Sequence, residues 1–233
     1  MSRPVAVVTG VTRGLGAAFA SALLRRGYTV AGCSTTGAGV LGVVVHQVDV
    51  CDATAMDKFA EEIATRFGAI DVWVNNAGVL GPVGPLRDAN HVEWERAVAV
   101  NLDGVVAGTH AFLSRRSDPA VLVNIASRAG VRPFPGLSVY AATKAAVISL
   151  TQSVAEEERA RGLRTYAVLP PSIDTDMQDV LLRQDPRAFP GVAESRRRSD
   201  EGRIASAEVV AERVLSMVLD RTNVDVLIDL TGD

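Results

Sequence analysis

Two cysteines, Cys33 and Cys51, are too few for a disulfide framework. Both follow apolar segments where a reduced thiol packs as a small hydrophobe, which points to a cytoplasmic setting. Long apolar runs are also missing. Met1 leads almost directly into Val5-Ala6-Val7-Val8 with no extended apolar leader, and no later run approaches the ~18 residues that a membrane span needs. A soluble protein with no membrane partner is expected. Basic excess is absent too: the net charge is -3 and the two signs are interspersed, so no face is offered to nucleic acid. His46, His91 and His110 show no ligand spacing with one another or with the cysteines, and no metal site is expected. There is no fixed-period repeat and no low-complexity tract.

What is present suits small-molecule work. At 233 residues and 48% hydrophobic content the chain can bury one large core, and a single domain over 1–233 is expected. Short valine-rich runs alternate with longer segments of helical period, the pattern of parallel strands covered on both faces by crossover helices. Strands are predicted at 5–9, 29–33, 43–48, 72–75, 121–126, 164–169 and 226–229. Leu15, Phe19, Ala22 and Leu23 form one helical face before Gly27, and Met56, Phe59, Ile63 and Phe67 form another before Gly68. Such βαβ units predict an α/β, Rossmann-type doubly wound parallel sheet of seven strands, with its ligand crevice beyond the carboxyl ends of the strands. The least regular stretch, 177–203, contains Pro186, Pro190, Gly191, Gly202 and the run Arg196-Arg197-Arg198. It is expected to be a long connection or a lid over the substrate.

The first strand runs into Gly10-Val11-Thr12-Arg13-Gly14-Leu15-Gly16 at the start of a helix. Glycines at such a turn let the backbone approach a pyrophosphate, which rests against the free N-H groups of the helix. The spacing differs from the common Gly-x-Gly-x-x-Gly fingerprint, and glycine-rich turns of this kind also occur without a ligand. An enzyme that selects NAD commonly places a carboxylate after the second strand. Here that strand leads into Cys33-Ser34-Thr35-Thr36, and the first acidic residue of the chain is Asp49. With Arg13 on the phosphate loop and Ser34 and Thr35 beside it, NADP is expected and NAD disfavoured.

Tyr140 and Lys144 stand four apart at the start of a helical segment, which places both side chains on one face. A free tyrosine has a pKa of about 10, and a nearby ammonium favours its ionised form. A pair at this spacing also occurs as surface decoration. Ser127 ends the strand 121–126 at the same crevice edge, thirteen residues before Tyr140, where its hydroxyl could hold a substrate oxygen.

Together these features resemble the short-chain dehydrogenase/reductase family, in particular its 3-ketoacyl carrier protein reductase-like members, over nearly the whole chain. The segment 9–16 is similar to the family's cofactor motif, and Asn75-Asn76-Ala77-Gly78 resembles its sheet-stabilising motif beside the adenine ribose. Asp49 and Val50 match the adenine contacts, and Asn101, Ser127, Tyr140 and Lys144 match the catalytic tetrad. The resemblance implies hydride transfer between nicotinamide and a carbonyl or alcohol carbon, with proton transfer by Tyr140 and polarisation of the oxygen by Ser127. It implies that Lys144 binds the nicotinamide ribose and lowers the tyrosine pKa, and that Asn101 holds a relay water.

Pro170-Pro171 stands where the family usually has Pro-Gly, so a backbone donor is lost beside Ile173 and Thr175, the positions matching the carboxamide contacts. The chain stops at Asp233, soon after the last expected strand, so any C-terminal tail is expected to be short. Arg128 and Arg132 flank the predicted crevice and could draw an anionic group, although packing is an equal reading. A homodimer or homotetramer is expected from the small residues Ala141, Ala142, Ala145 and Ala146. The rival reading from another class is a dinucleotide-binding regulator or scaffold without catalysis.

Overall fold

A computed structural model describes residues 3–220 and 225–231. Met1 and Asp233, on which the expectations about the two ends rested, lie outside the described residues. In β1 (Val5–Thr9), Ala6 and Val8 face one hydrophobic layer and Val5 and Val7 the other, and all four are buried. A strand buried on both faces needs helices on both sides. The chain supplies α1 (Gly14–Arg25), β2 (Thr29–Ser34), β3 (Val44–Gln47), α2 (Ala53–Phe67) and β4 (Ile70–Asn75). Then α3 (His91–Val98) passes through a π-helical turn, Ala99–Asp103, into α4 (Gly104–Leu113). After β5 (Arg116–Ile125), α5 (Ser138–Glu157) and β6 (Leu163–Leu169) come α6 (Asp176–Leu182), α7 (Val192–Asp200), α8 (Ala207–Leu219) and β7 (Leu227–Asp229).

Local chemistry sets the element ends. Asp52 caps α2 by accepting the Ala55 N-H at 2.9 Å, and Gly68 releases the chain from it at φ 102°. Gly27 turns the chain after α1 at φ 84°.

All seven strands pair in parallel, in the order β3-β2-β1-β4-β5-β6-β7. The doubly wound sheet expected from the sequence is therefore present. Between β3 and β4 the chain crosses from one side of β1 to the other, which opens a crevice beyond the carboxyl ends of β1 and β4. One face of the sheet buries Phe19 and Leu23 of α1 against Val210, Val214 and Leu215 of α8. The opposite face centres on Trp73, whose ring centre lies 6.3 Å from that of Phe59 and 5.9 Å from that of Phe112. Cys33 belongs to this layer, and burial pushes its thiol up to about 12, as suits an unreactive core residue.

A buried polar chain crosses the second layer. Trp73 Nε1 donates to Asn75 Oδ1 at 2.8 Å, Asn75 Nδ2 to Asn124 Oδ1 at 2.8 Å, and Asn124 Nδ2 to Thr151 Oγ1 at 2.9 Å. These bonds fix β4, β5 and α5 relative to one another directly beneath the crevice.

The structure departs from the sequence reading at two segments. β5 begins at Arg116, five residues before the expected start, because the pairing with β4 slips between Ile70–Arg116 and Val72–Val121 and the irregularity accommodates Pro119. The stretch 177–203 is no bare connection. It contains most of α6 and the whole of α7, anchored where Phe189 and Val192 bury against Leu137.

Candidate active site

The carboxyl ends of the central strands open onto one cleft of about 900 Å³. Its floor at β1 is the phosphate loop. Gly10 and Gly14 adopt φ of 71° and 53°, and a Cβ on Gly16 would lie 2.1 Å from the Gly10 carbonyl oxygen, so loop and helix meet at a distance only glycine permits. Arg13, at the cap of α1, gives no side-chain acceptor to the first N-H groups of the helix, which stay available to an anion. Thr12 and Leu15 line the same turn. This cradle fits a pyrophosphate.

Beside it, Thr9 Oγ1 accepts the N-H groups of Asn76 and Ala77, each at 3.0 Å, and Asn76 Nδ2 donates to the Thr9 carbonyl at 3.0 Å. These bonds hold Asn76, Ala77 and Gly78 along the cleft wall. Ser34, Thr35, Asp49 and Val50 line the far end. Burial works against the Asp49 charge, but the Cys51 N-H at 3.0 Å and Arg96 Nη2 at 3.1 Å outweigh it and hold the carboxyl below its usual range. Arg96 was not legible as a cleft residue, since only the fold brings α3 to this wall. Arg13 is exposed and pairs with Asp176 at 3.1 Å, bridging the phosphate loop to α6.

At the other end Ser127, Tyr140 and Lys144 converge. Ser127 caps a single turn by accepting the Ala129 N-H at 3.2 Å, and its hydroxyl stands near enough to the Tyr140 phenol to ease its ionisation. Lys144 is buried, donates from Nζ to the Ile125 carbonyl at 2.7 Å, and lies 5.7 Å from the centre of the Tyr140 ring. Burial pushes the Lys144 ammonium down to about 8. Burial also pushes the Tyr140 phenol up, with the Ser127 hydroxyl working the other way. Among the protein's own groups, burial rather than Lys144 therefore sets the tyrosine, which favours the neutral acid.

Asn101 is the one expected site residue that does not line the cleft. It is fully buried on the π-helical turn, where Oδ1 accepts the Val79 N-H and Nδ2 donates to the Val79 carbonyl, both at 2.8 Å. Nδ2 also lies 3.3 Å from Thr143 Oγ1. The side chain thus braces the wall after Gly78 and ties it to α5.

Pro170, Ile173 and Thr175 line the segment after β6, and Thr175 Oγ1 caps α6 by accepting the Gln178 N-H at 3.4 Å. Arg128 and Arg132 both line the cleft, with the Arg132 guanidinium 4.7 Å over the Phe134 ring. Within the arginine run, Arg196 donates to the carbonyls of Leu182 and Gln184 at 2.9 and 3.1 Å and so ties α7 to the end of α6. Arg197 and Arg198 both pair with Glu194, and only Arg198 of the three lines the cleft.

A phosphate cradle thus runs continuously into a serine, a tyrosine and a lysine along one edge of the sheet. The model of the short chain dehydrogenase family matches residues 4–186. The chain belongs to the short chain dehydrogenase family. This short chain dehydrogenase is 36% identical over 200 residues to 2-(R)-hydroxypropyl-CoM dehydrogenase of Xanthobacter autotrophicus, covering 79% of this chain and 80% of that protein. It is 35% identical over 192 residues to the 3-oxoacyl-acyl-carrier-protein reductase FabG of Staphylococcus aureus, covering 76% and 77%. Among solved structures, a short chain dehydrogenase from Burkholderia cenocepacia in complex with NADP superposes with a TM-score of 0.83 at 27% identity, covering 99% of this chain and 97% of that one. The protein is accordingly an oxidoreductase of this family, a reading favoured over that of a binding protein without catalysis. Among the described residues no helix is long and apolar enough to cross a membrane.

Proposed function

We propose that the protein is an NADPH-dependent ketoreductase acting on a small carbonyl compound in the cytoplasm. It would do so as one dinucleotide-binding domain, with 177–203 covering the substrate end. The convergence of Ser127, Tyr140 and Lys144 at a cleft continuous with the phosphate loop carries this reading. Gly10, Thr12, Gly14, Leu15 and Gly16 would hold the pyrophosphate, and Asp49, Val50, Asn76, Ala77 and Gly78 the adenosine. Tyr140 and Lys144 would hold the nicotinamide ribose, and Pro170, Ile173 and Thr175 the carboxamide. When bound, the reduced nicotinamide supplies the hydride. Tyr140, whose desolvation in the cleft wall holds it neutral, gives its proton to the carbonyl oxygen while Ser127 polarises that oxygen. Lys144 orients the ribose beside the tyrosine, and Asn101 keeps the wall after Gly78 in place.

Selection of NADP rests on Arg13, Ser34 and Thr35 and on the lack of a carboxylate at the end of β2. Arg13 must leave Asp176 to meet a 2′-phosphate. An exposed ion pair is worth about 0–1 kcal/mol, less than the ~1.5–3 kcal/mol of a hydrogen bond to a charged group, so the phosphate wins. Arg13→Ala should weaken NADPH binding about 10–150-fold and leave NADH binding nearly unchanged, read by fluorescence titration. Equal weakening of both nucleotides, or a parent that binds NADH more tightly, contradicts the selection.

Small residues support assembly as a homodimer or homotetramer. Ala142 and Ala145 are exposed along α5, where another helix can approach closely. Light scattering should return a multiple of the 24.6 kDa chain mass, and a monomer at micromolar concentration contradicts the assembly.

A further inference from the structure

We infer that Asp176 is a second determinant of nucleotide choice: it pairs with Arg13, and a 2′-phosphate must take Arg13 from it, which releases α6 from the phosphate loop. This deepens the NADP selection proposed above and rests on it.

The pair forms an arch over the cleft. Arg13 follows β1 and Asp176 follows β6, and in the sheet β4 and β5 lie between those two strands. At the ~4.8 Å spacing of neighbouring strands, β1 and β6 stand roughly 14 Å apart. The chain beyond β6 nevertheless returns to the phosphate loop, where Arg13 Nε meets Asp176 Oδ2 at 3.1 Å. A second contact lies beside the first, since a Cβ on Gly14 would stand 3.2 Å from Thr175 Cγ2. Arg13, Gly14, Thr175 and Asp176 all line the cleft. The two contacts therefore span it above the ends of β4 and β5.

Asp176 opens α6, and the excursion that carries α6 and α7 is closed at its base by other bonds. The Ser172 carbonyl accepts the Ala205 N-H at 2.9 Å, and the Asp174 N-H donates to the Ala205 carbonyl at 3.0 Å. The start of α6 has its own tie to the phosphate loop in Asp176. Both side chains of that tie are largely exposed, at 76% and 67%, so water screens the pair and holds its strength low. An exchange requires this, because a buried pair would not yield its arginine. A phosphate carries more charge than a carboxylate and takes Arg13 from Asp176. NADH has no 2′-phosphate and leaves the pair in place. Asp176 thus lowers the affinity for one nucleotide only, and NADP selection is weaker than Arg13, Ser34 and Thr35 alone would make it.

Nucleotide affinities from fluorescence titration test the exchange in the parent, Asp176→Asn, Arg13→Ala and the double variant. Asp176→Asn should tighten NADPH about 2–5-fold, the effect of one exposed ion pair, and leave NADH within about 1.5-fold. The gain should vanish in the Arg13→Ala background and fade at about 1 M salt, where screening acts over ~3 Å. Asp176→Glu keeps the charge and should bind both nucleotides as the parent does. If the Asn variant does not fold, Asp176→Ser removes the same charge and must give the same gain. Release of α6 is read by hydrogen exchange with adenosine 2′,5′-bisphosphate and AMP, which share the 5′-phosphate and differ in the 2′-phosphate. The bisphosphate should speed exchange of the α6 amides relative to AMP in the parent, and the two should act alike in Asp176→Asn. A merely structural role at the start of α6 would move both nucleotides and would not depend on Arg13.

An NADPH gain below about twofold overturns the proposal, as does a matching gain for NADH or a Glu variant that behaves as the Asn variant does. The same gain in the Arg13→Ala background overturns it too, because Asp176 would then repel the phosphate directly and not compete for Arg13. Equal exchange of the α6 amides with the two probes overturns the release of α6. A parent that binds NADH more tightly, or an Arg13→Ala variant that weakens both nucleotides equally, removes the NADP selection and this proposal with it. The expected response to Arg13→Ala with none to Asp176→Asn removes the proposal alone.

Discussion

Tyr140→Phe should lower turnover with a ketone by about 10²–10⁴-fold or more while leaving the fold and dinucleotide binding nearly intact. Only the transferable proton is removed, because the ring still fills its place beside Leu137 and Phe189. Ser127 keeps the Ala129 N-H that orients it. Turnover within about twofold of the parent would take Tyr140 out of the mechanism. The pH dependence follows from the same residue. Burial pushes the phenol above its ordinary value, so the acid needed for reduction is present throughout the neutral range. Reduction should therefore hold through neutrality and fall at higher pH, first as the Lys144 ammonium is lost near about 8 and then as the tyrosine ionises. Oxidation of the alcohol, which needs the ionised form, should rise over the second of these steps. A reduction rate that increases with pH above neutrality contradicts Tyr140 as the acid.

The second large effect is expected at the phosphate loop. In Gly16→Ala the new Cβ would lie 2.1 Å from the Gly10 oxygen and 2.5 Å from Asn76 Nδ2, and the first of these is backbone that cannot rotate aside. The loop must move away from α1. Forcing extra carbon into a packed site costs about 1–3 kcal/mol of stability. The displaced N-H groups would also lose two or more charged hydrogen bonds to a pyrophosphate, each worth ~1.5–3 kcal/mol. NADPH and NADH should both bind at least about 100-fold more weakly, by titration. Gly27→Ala is the control, since it also meets a positive φ of 84° but has nothing within 4 Å of the new carbon. It should cost ~1–2 kcal/mol of stability and leave nucleotide binding alone. Equal nucleotide affinities for the parent and Gly16→Ala would mean that the loop is not the binding surface.

Much of the fold and site was readable because it is local. Val5 to Val8 announce a strand buried on both faces, the glycines of 10–16 announce a close turn, and Tyr140 and Lys144 share a helix face by spacing alone. The features that escaped depend on distant parts of the chain. Pro119 interrupts the strand pattern, so the first half of β5 became visible only through its irregular pairing with β4. α6 and α7 are short and polar, and their anchors Phe189 and Val192 bury against Leu137, with Leu80, Val83, Phe134 and Tyr140 from distant segments packed around them. Arg96 reaches Asp49 and Arg13 reaches Asp176 only once the sheet has assembled. For Asn101 the resemblance implies a relay water; that its side-chain amide is bonded to Val79 and lies 3.3 Å from Thr143, one layer behind the cleft, depends on the packed structure.

Reduction of ethyl acetoacetate with NADPH deuterated at the transferable ring position tests the central claim most directly. The product alcohol should carry one deuterium on the former carbonyl carbon per turnover, read by mass spectrometry and NMR, and Tyr140→Phe should suppress its formation. Product that takes that hydrogen from solvent, or ketone consumed while the nucleotide keeps its label, would contradict hydride transfer in this cleft.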